Sequence, residues 1–326
     1  MKHLSKQMGI SLVEILVALV ISLFLLGGIV QVYVGNKTTF AFTNALAEIQ
    51  ENGRFALDSM SQDLRLTNQW GCIEFDPDDT DNINDTLDVS LDNDFYDFLG
   101  EEAIEGTEGG ANPDTLIIRG GKPGQTNVEA PFIAPTTKTL NTNPTRSIGP
   151  GDIILVARCG ANDLLIEAEA DILEVKSVDN SDTAFTEITL EENKSQQFEN
   201  DAMVIELQTV TYTIGTGANG RPALFRQEFD AAPQELIEGV QSMQVLYGVD
   251  NDNDQVPNRY FKADEVPGLD FEDVVSVRIM LLLSSFDDFV TEDPQVYTYN
   301  STTTTAPDRR LRQVFTTTIA LRNRIG

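Results

Sequence analysis

The sequence predicts an α+β protein in which one long N-terminal α-helix, membrane-spanning in its first half, packs on a mainly antiparallel β-sheet head. Three observations lead to this prediction. An apolar run without charge extends from Ile15 to Asn36, apolar residues at helical spacing continue to about Leu66, and short segments of strand composition follow from Asp152 onward. Strands that follow one another without intervening helices form antiparallel sheets rather than βαβ units.

The apolar run is long enough to cross a bilayer as a helix, which takes ~20 apolar residues. Lys2 and Lys6 precede the run, and Lys37 follows it closely. Because positively charged flanks stay in the cytoplasm, we expect the N-terminus inside and the rest of the chain outside. We assign residues 1–9, the short basic stretch before the apolar run, to a leader peptide and residues 10–36 to a helix that spans the membrane or forms a filament core.

The helical pattern continues beyond the membrane segment, over residues 37–66. Apolar residues three or four positions apart form one stripe there, which is typical of a helix with one buried face. We expect this second half to pack on the head, and the whole helix to be on the order of 80 Å long. The stripe consists of Phe42, Leu46, Ile49, Gly53, Leu57, Met60 and Leu64.

The start of the chain differs from an ordinary secretory signal. Such a signal is cut after its apolar core, whereas here a short basic leader ends with Gly9 before the apolar core begins. Glu14 places a carboxylate inside the apolar segment, which costs about 2.5–3.5 kcal/mol on insertion scales. We interpret Glu14 as a functional charge; the alternative is that it only sits near the membrane edge.

The composition excludes several classes of function. The chain has 52 acidic and 22 basic residues and a formal charge of −30, which disfavours binding of nucleic acid by the head. The single histidine, His3, lies in the leader, so the remaining chain cannot use Ser-His-Asp or Cys-His catalysis or common zinc sites. Chemistry by carboxylates alone remains formally open, but we expect no enzyme and no required cofactor.

The head divides by composition into a loop-rich acidic region, residues 67–151, and a β-rich domain, residues 152–326. Asn219-Gly220 marks a hairpin turn between two predicted strands, and residues 302–305 are predicted to form a loop. A short strand-like segment, residues 115–119, lies in the acidic region. The strands predicted in the β-rich domain are residues 153–158, 164–175, 185–190, 203–214, 223–229, 240–247, 274–283 and 314–321.

One acidic segment has the spacing of a calcium loop. Calcium prefers six to eight oxygen ligands, and a D-x-D-x-D loop supplies several from one turn. Gln255 stands where an EF-hand has glycine, and Phe261 stands where it has the bidentate glutamate. A plain acidic turn between strands is the alternative. The candidate ligands are the carboxylates of Asp250, Asp252 and Asp254, the carbonyl of Val256 and the side chain of Asn258.

The two cysteines, Cys72 and Cys159, are far apart in the sequence. They are either free thiols or one disulfide, and a disulfide is favoured if the head is exported. A bridge between them would close a long loop and stabilise the fold by roughly 3–5 kcal/mol in the chain-entropy model.

The N-terminal pattern resembles the class III signal of type IV pilins and pseudopilins. The shared features are the basic leader, Gly9, the hydrophobic Ile10 and a glutamate, Glu14, at the fifth position after the glycine. The resemblance implies that a prepilin peptidase cuts between Gly9 and Ile10 and methylates the new Ile10 amine. It also implies that Glu14 neutralises this amine on a neighbouring subunit inside a helix bundle, where an unpaired charge is costly.

The C-terminal half resembles the PilW family of minor pilins, over residues 224–227, 234–250 and 274–279. Gly71-Cys72 and residues 151–159 are similar to that family's cysteine-bearing segments. The resemblance implies a pilin-like fold and a minor subunit that primes pilus assembly or sits at the tip. The implied partners are prepilin peptidase and other minor and major pilins.

The same resemblance implies a location. The protein would be a single-pass protein of the inner membrane during assembly, with its N-terminus cytoplasmic and its head periplasmic, and would later be part of a pilus at the cell surface. Two alternatives stay open. The first is a minor pseudopilin of a type II secretion system, and the more remote one is a membrane-anchored enzyme that uses carboxylates.

Overall fold

The computed structural model describes residues 12–71, 73, 83–85, 87, 98, 103–110, 112–134, 137–158, 169–200, 202–266, 268, 271–321 and 323. The predicted cleavage site, Gly9 and Ile10, lies outside the described residues, and so do both cysteines, Cys72 and Cys159.

A single helix, α1 (Leu12–Arg65), begins the described chain. Residues 12–44 are all exposed, and burial begins at Ala45. The buried helix residues recur every three or four positions, as one face of a helix does. They are Ala45, Ile49, Gly53, Ala56, Met60 and Leu64. The predicted stripe is thus confirmed for its later members, while Phe42 is 39% exposed because the head does not reach that far along the helix.

The C-terminal end of α1 is held by Asn68, which follows it closely in the sequence, and by Asn323, which is distant in the sequence. Asn68, with φ of 59°, turns the chain away from the helix axis, and asparagine tolerates this left-handed conformation. The Asn323 side chain donates hydrogen bonds to the carbonyl oxygens of Arg65, at 3.3 Å, and Thr67, at 3.0 Å. Asn323 therefore satisfies carbonyl groups that a helix end leaves without partners.

The rest of the described chain is mainly β-structure, and Ala263–Glu265 form a short 3-10 helix. In chain order the strands are β1 (Ile83–Asp85), β2 (Ile104–Thr107), β3 (Thr115–Gly121), β4 (Thr126–Asn127), β5 (Thr139–Thr142), β6 (Ile153–Arg158), β7 (Glu169–Asp179), β8 (Thr186–Leu190), β9 (Ala202–Thr216), β10 (Pro222–Glu228), β11 (Gln234–Glu238), β12 (Val240–Val249), β13 (Arg259–Phe261), β14 (Val274–Ser284), β15 (Val296–Tyr299), β16 (Thr302–Thr305) and β17 (Arg312–Ala320).

The helix packs on a four-stranded antiparallel sheet with the strand order β13-β12-β14-β17. The inward side chains of β12, β14 and β17 join Ile49, Met60 and Leu64 of the helix in the largest apolar core. Alternation along β14 explains this burial, since Val277, Ile279 and Leu281 point to one face of the sheet and are fully buried or nearly so.

A larger sheet lies beside the first and is organised around β9. Its main path is β11-β10-β9-β6-β7-β8-β5; β3 and β4 also pair with β9, β2 pairs with β3, and β1 pairs in parallel with β7. Buried residues between the large sheet and its loops form two further apolar clusters, one around Val156 and Leu173 and one around Trp70 and Phe98. The predicted α+β architecture, a helix packed on a mainly antiparallel sheet head, is confirmed.

The individual strand predictions succeeded where the apolar signal is strong. Residues 153–158 coincide with β6, and the predicted turn at Asn219-Gly220 joins β9 to β10, with Gly220 at φ of 74°. The prediction that residues 302–305 form a loop is wrong. These four threonines are β16, which pairs with β15 across a two-residue turn in which Asn300 and Ser301 have positive φ. All four threonines are exposed, so no hydrophobic alternation indicated a strand.

Close contact between α1 and β17 depends on a glycine. A Cβ atom at Gly53 would lie 2.6 Å from ring atoms of Phe315, well inside van der Waals contact. The absence of a side chain at this position lets the helix approach the strand closely.

We expect the substitution Gly53→Val to destabilise the fold by about 1–3 kcal/mol through overpacking against Phe315. Unfolding of the detergent-solubilised chain can be followed by the fluorescence of Trp70, the single tryptophan, which is buried. Gly28→Val is the matched control, because that glycine lies in the same helix with no atom near its Cβ position. Adding Phe315→Ala should recover part of the loss. Equal effects of the Gly53 and Gly28 substitutions would contradict this packing role.

Candidate functional site

The first half of α1 is an apolar surface that the rest of the described chain leaves uncovered. The helix meets the length and composition needed to cross a membrane, and none of its most apolar 18-residue window is buried. Phe24 is 79% exposed and Leu23 is 67% exposed. A continuous apolar surface of this size is covered by lipid or by other protein in a folded assembly.

Glu14 is the only charged residue between Leu12 and Asn36 and lies in the first described turn of α1. The surrounding side chains Val13, Ile15 and Leu16 are apolar and exposed. Once this surface is covered, the carboxylate is taken out of water along with its neighbours. An ionised carboxylate in that position is costly unless it is paired.

A polar network joins the other end of the helix to the large sheet. The Tyr212 hydroxyl donates to Asp63 Oδ2 at 2.6 Å, and Arg226 Nε donates to the same oxygen at 2.8 Å. Burial, followed by the nearby Asp63 carboxylate, raises the pKa of Tyr212. Asp63 therefore ties α1 to β9 and β10 with a charge-assisted hydrogen bond and an ion pair in a partly buried place.

The same network continues into ion pairs within the sheet. Lys122 Nζ contacts both Glu206, at 2.5 Å, and Glu228. Burial opposes ionisation of Glu228, but the hydrogen bond from Lys122 and the neighbouring Arg226 outweigh it and lower the pKa of Glu228. Burial raises the pKa of Glu206. Both carboxylates form ion pairs with lysine or arginine side chains. This arrangement is typical of a structural network, whereas a glycosidase has two carboxylates that face each other across a cleft.

The acidic segment forms the connection between β12 and β13. Ligand oxygens of Asp250, Asp252 and Asp254 lie within 4.8 Å of one another. Asp250 is buried and accepts backbone hydrogen bonds from Asp252 (3.1 Å), Asn253 (2.9 Å) and Gln255 (2.7 Å). Desolvation works against ionisation of Asp250, but these N–H groups outweigh it and lower its pKa.

Two other predicted members of the loop have defined positions. The Asn258 side chain accepts a hydrogen bond from the Asn251 amide at 2.6 Å and donates to Asp252 Oδ1 at 3.2 Å. Val256 donates its backbone N–H to Asp254 Oδ1 at 2.9 Å. Gln255, which replaces the EF-hand glycine, has φ of 66°. The backbone therefore takes the left-handed conformation that favours glycine, although the residue is not glycine.

The neighbours of the two cysteines border the same part of β9. A Cβ atom at Gly71 would lie 2.7 Å from Ile205 Cδ1, and Arg158 pairs with Ala202 in the β6–β9 ladder. The cysteines themselves are outside the described residues, so the disulfide stays a prediction.

A groove runs between α1 and β17. Its volume is about 540 Å³, and its lining includes Leu57 and Asp58 of the helix and Phe315 of the strand. Neither this groove nor the Asp63 network was predicted from the sequence. The available signal was weak: Asp63 is a charged residue next to the apolar stripe, and its partners are about 150 residues away.

Comparison with known protein families finds a match in the second half of the chain. The model of the family described as Type IV Pilus-assembly protein W, PilW, matches residues 211–323, about a third of the chain. The matched segment runs from the second half of β9 through β17 and includes the acidic loop and the strand side of the groove. No curated protein shows a significant match to the chain. The match associates the chain with type IV pilus assembly.

Proposed function

We propose that this protein is a minor pilin that prepilin peptidase processes and that is then incorporated into a type IV pilus, where it primes assembly or occupies the tip. The observation that carries the proposal is a helix with two different halves: an exposed apolar half and a half buried on a head that matches a pilus-assembly family. Such a helix can leave the bilayer only for another apolar environment, and a bundle of similar helices provides one.

The proposed assembly step uses Glu14. Cleavage after Gly9 creates a positively charged amine at Ile10, four residues before Glu14. Inside a helix bundle neither charge is stable alone, because an uncompensated buried charge costs about 3–5 kcal/mol. Pairing of Glu14 with the amine of a neighbouring subunit satisfies both charges and sets the axial position of one helix against the next.

The location follows from the same proposal. The basic leader keeps the N-terminus in the cytoplasm and the head in the periplasm while α1 resides in the inner membrane. After assembly the head lies on the pilus surface, where its net negative charge keeps it soluble. The partners are prepilin peptidase and other minor and major pilins. Nucleic acid is not a direct partner of the acidic head.

The rival functions make different demands. A minor pseudopilin of a type II secretion system would have the same leader and helix, and the PilW match favours the pilus. A carboxylate enzyme would need two facing carboxylates in an open cleft. The groove beside β17 has one carboxylate in its lining, Asp58, and the buried carboxylates near Lys122 are paired. We therefore propose a non-enzymatic role.

We also propose that the loop between β12 and β13 binds calcium. The convergence of three carboxylates within 4.8 Å supports this, because calcium prefers oxygen donors. A carboxylate offers about four acceptor sites, and backbone amides take three of those on Asp250. Asp250 thus has capacity for one further contact, and Asp252 and Asp254 are exposed. Calcium here would brace the connection between two strands of the helix-bearing sheet.

The first test concerns processing. Mass spectrometry of the protein from its own host should find a chain that starts with N-methylated Ile10, and deletion of the prepilin peptidase should leave the intact precursor. Gly9→Val should also leave the precursor uncut, with loss of more than nine-tenths of the mature form. Gly27→Val is a matched control that should be processed normally. A mature-length chain from the Gly9 variant would refute the site.

The second test concerns Glu14. Glu14→Ala should be cleaved normally but should enter sheared pili at least about tenfold less, because the neighbour's buried amine loses its counter-charge. Quantitative immunoblotting of sheared pili and of membranes measures this ratio. Gln31→Ala, which removes an uncharged polar side chain from the same exposed helix half, should behave as wild type. Unchanged incorporation of the Glu14 variant would exclude the pairing.

The third test concerns calcium. Calorimetry on the full chain in detergent should show binding in the range of about 10⁻⁴–10⁻³ M. Asp252→Ala should remove the signal, and Gln255→Gly should keep or strengthen it, since glycine adopts the left-handed conformation without strain. Asp182→Ala, which removes an exposed aspartate elsewhere, is the control for net charge. Absence of heat at millimolar calcium would end this proposal without affecting the pilin assignment.

A further inference from the structure

Strand β17 is an edge strand. It pairs with β14 on one side, and no described strand pairs with its other side. The hydrogen bonds that flank the ladder, from Ser285 to the Leu311 carbonyl and from Leu321 to the Val275 carbonyl, show which residues face β14. In an antiparallel pair these residues alternate. The odd-numbered residues of β17 therefore bond to β14, and the backbone groups of the even-numbered residues point outward.

One end of this outer edge is already covered. The Gln295 side chain accepts a hydrogen bond from the Arg312 amide at 2.7 Å and donates to the Arg312 carbonyl at 2.9 Å, as a neighbouring strand would. Beyond Arg312, the outward backbone groups of Val314, Thr316, Thr318 and Ala320 have no hydrogen-bond partner among the described residues.

The composition of the open edge bears on whether another strand can pair with it. Proteins protect edge strands with charges, proline or bulges. The seven residues Val314–Ala320 contain no charge, proline or glycine. This edge is therefore not protected against pairing with another strand.

The groove beside α1 extends from this same edge. Leu57 and Phe315 form its half-buried apolar floor, and Arg54 and Asp58 stand on the helix side. The Gln313 side chain also lines the groove, and its Oε1 atom is buried without a hydrogen-bond partner among the described residues. A strand added to β17 would lie along this groove. Alternate side chains would contact Leu57 and Phe315, and a donor could reach Gln313.

The direction of the helix argues against a second copy of this chain as the occupant. Gly53 lies against Phe315 and Arg65 lies near Asn323, so α1 and β17 run in the same direction. Antiparallel pairing of two β17 strands would reverse one molecule against the other. Their apolar helix halves would then point to opposite sides, and both could not enter one membrane.

We infer that the open edge of β17 and the adjoining groove bind an extended segment of a different pilus subunit, which adds a strand to the sheet. The segment has apolar side chains at alternate positions for Leu57 and Phe315 and a hydrogen-bond donor for Gln313. Its backbone bonds to Val314, Thr316, Thr318 and Ala320. Strand addition of this kind uses main-chain hydrogen bonds for affinity and the groove for specificity. This inference rests on the proposed pilin function.

The test uses the full chain in its own host, with the photo-crosslinking residue p-benzoylphenylalanine replacing Arg54 at the rim of the groove. Irradiation should join the chain to a strand segment of another subunit that has its own apolar N-terminal helix, as identified by peptide mass spectrometry. Thr316→Pro removes an outward N–H and should lower the yield at least tenfold. Thr316→Val keeps that N–H and should preserve the yield.

Two checks make the outcome decisive. Thr316→Lys should also lower the yield, because a charge blunts the edge, and Trp70 fluorescence confirms that each variant is folded. Equal yields from the proline and valine variants, a cross-link to a helix, or a cross-link to a second copy would overturn the inference. If the protein is recovered in sheared pili but no cross-link forms, strand addition alone is refuted. If the cross-link forms but the protein is absent from sheared pili, the pilin assignment is refuted instead.

Discussion

The structure depends on one helix that has to satisfy two different surroundings. From Ala45 onward α1 buries one face on the head, whereas residues 12–44 are all exposed and mostly apolar. The second half is held by shape at Gly53 and by charge at Asp63. Because both contacts lie in the second half of the helix, the apolar first half extends beyond the head. The contacts at Gly53 and Asp63 therefore also set the direction in which the apolar half leaves the head.

The strongly acidic chain uses several of its few cations inside the fold. Arg119 is fully buried and pairs with Glu105 at 2.9 Å. Lys194 is also buried; its amine donates to the carbonyl of Thr139 at 2.6 Å and to the hydroxyl of Thr137 at 2.8 Å, and burial lowers its pKa. Arg119 thus links the neighbouring strands β2 and β3, whereas Lys194 joins segments 55 residues apart. The remaining carboxylates outnumber the remaining cations and give the chain its strongly negative charge.

The acidic loop shows how much of a candidate site the sequence can predict. The alternate spacing of Asp250, Asp252 and Asp254 was enough to predict that the three carboxylates converge, because a tight turn brings alternate residues to one side. The replacement of glycine by Gln255 indicated a degraded loop, yet that residue adopts the left-handed backbone of the glycine it replaces. Hydrogen bonds from three backbone amides to buried Asp250 hold the turn. Residue identity alone does not reveal this compensation.

The sequence by itself determined the features that depend on local patterns: the long helix, its buried stripe, and strands with a strong apolar signal, such as the continuous apolar run of β6 and the alternation of β14. These patterns reflect hydrophobic burial at fixed periods of 3.6 or 2 residues, and they need no knowledge of partners. Only the tertiary structure decided which distant residues meet. Asp63 finds Arg226, and Asn323 caps the helix at Arg65, across separations of 163 and 258 residues. Likewise the exposed threonines of β16 became a strand only through pairing with β15. Such choices depend on which arrangement packs all the apolar faces at once, and no single segment of the chain carries that information.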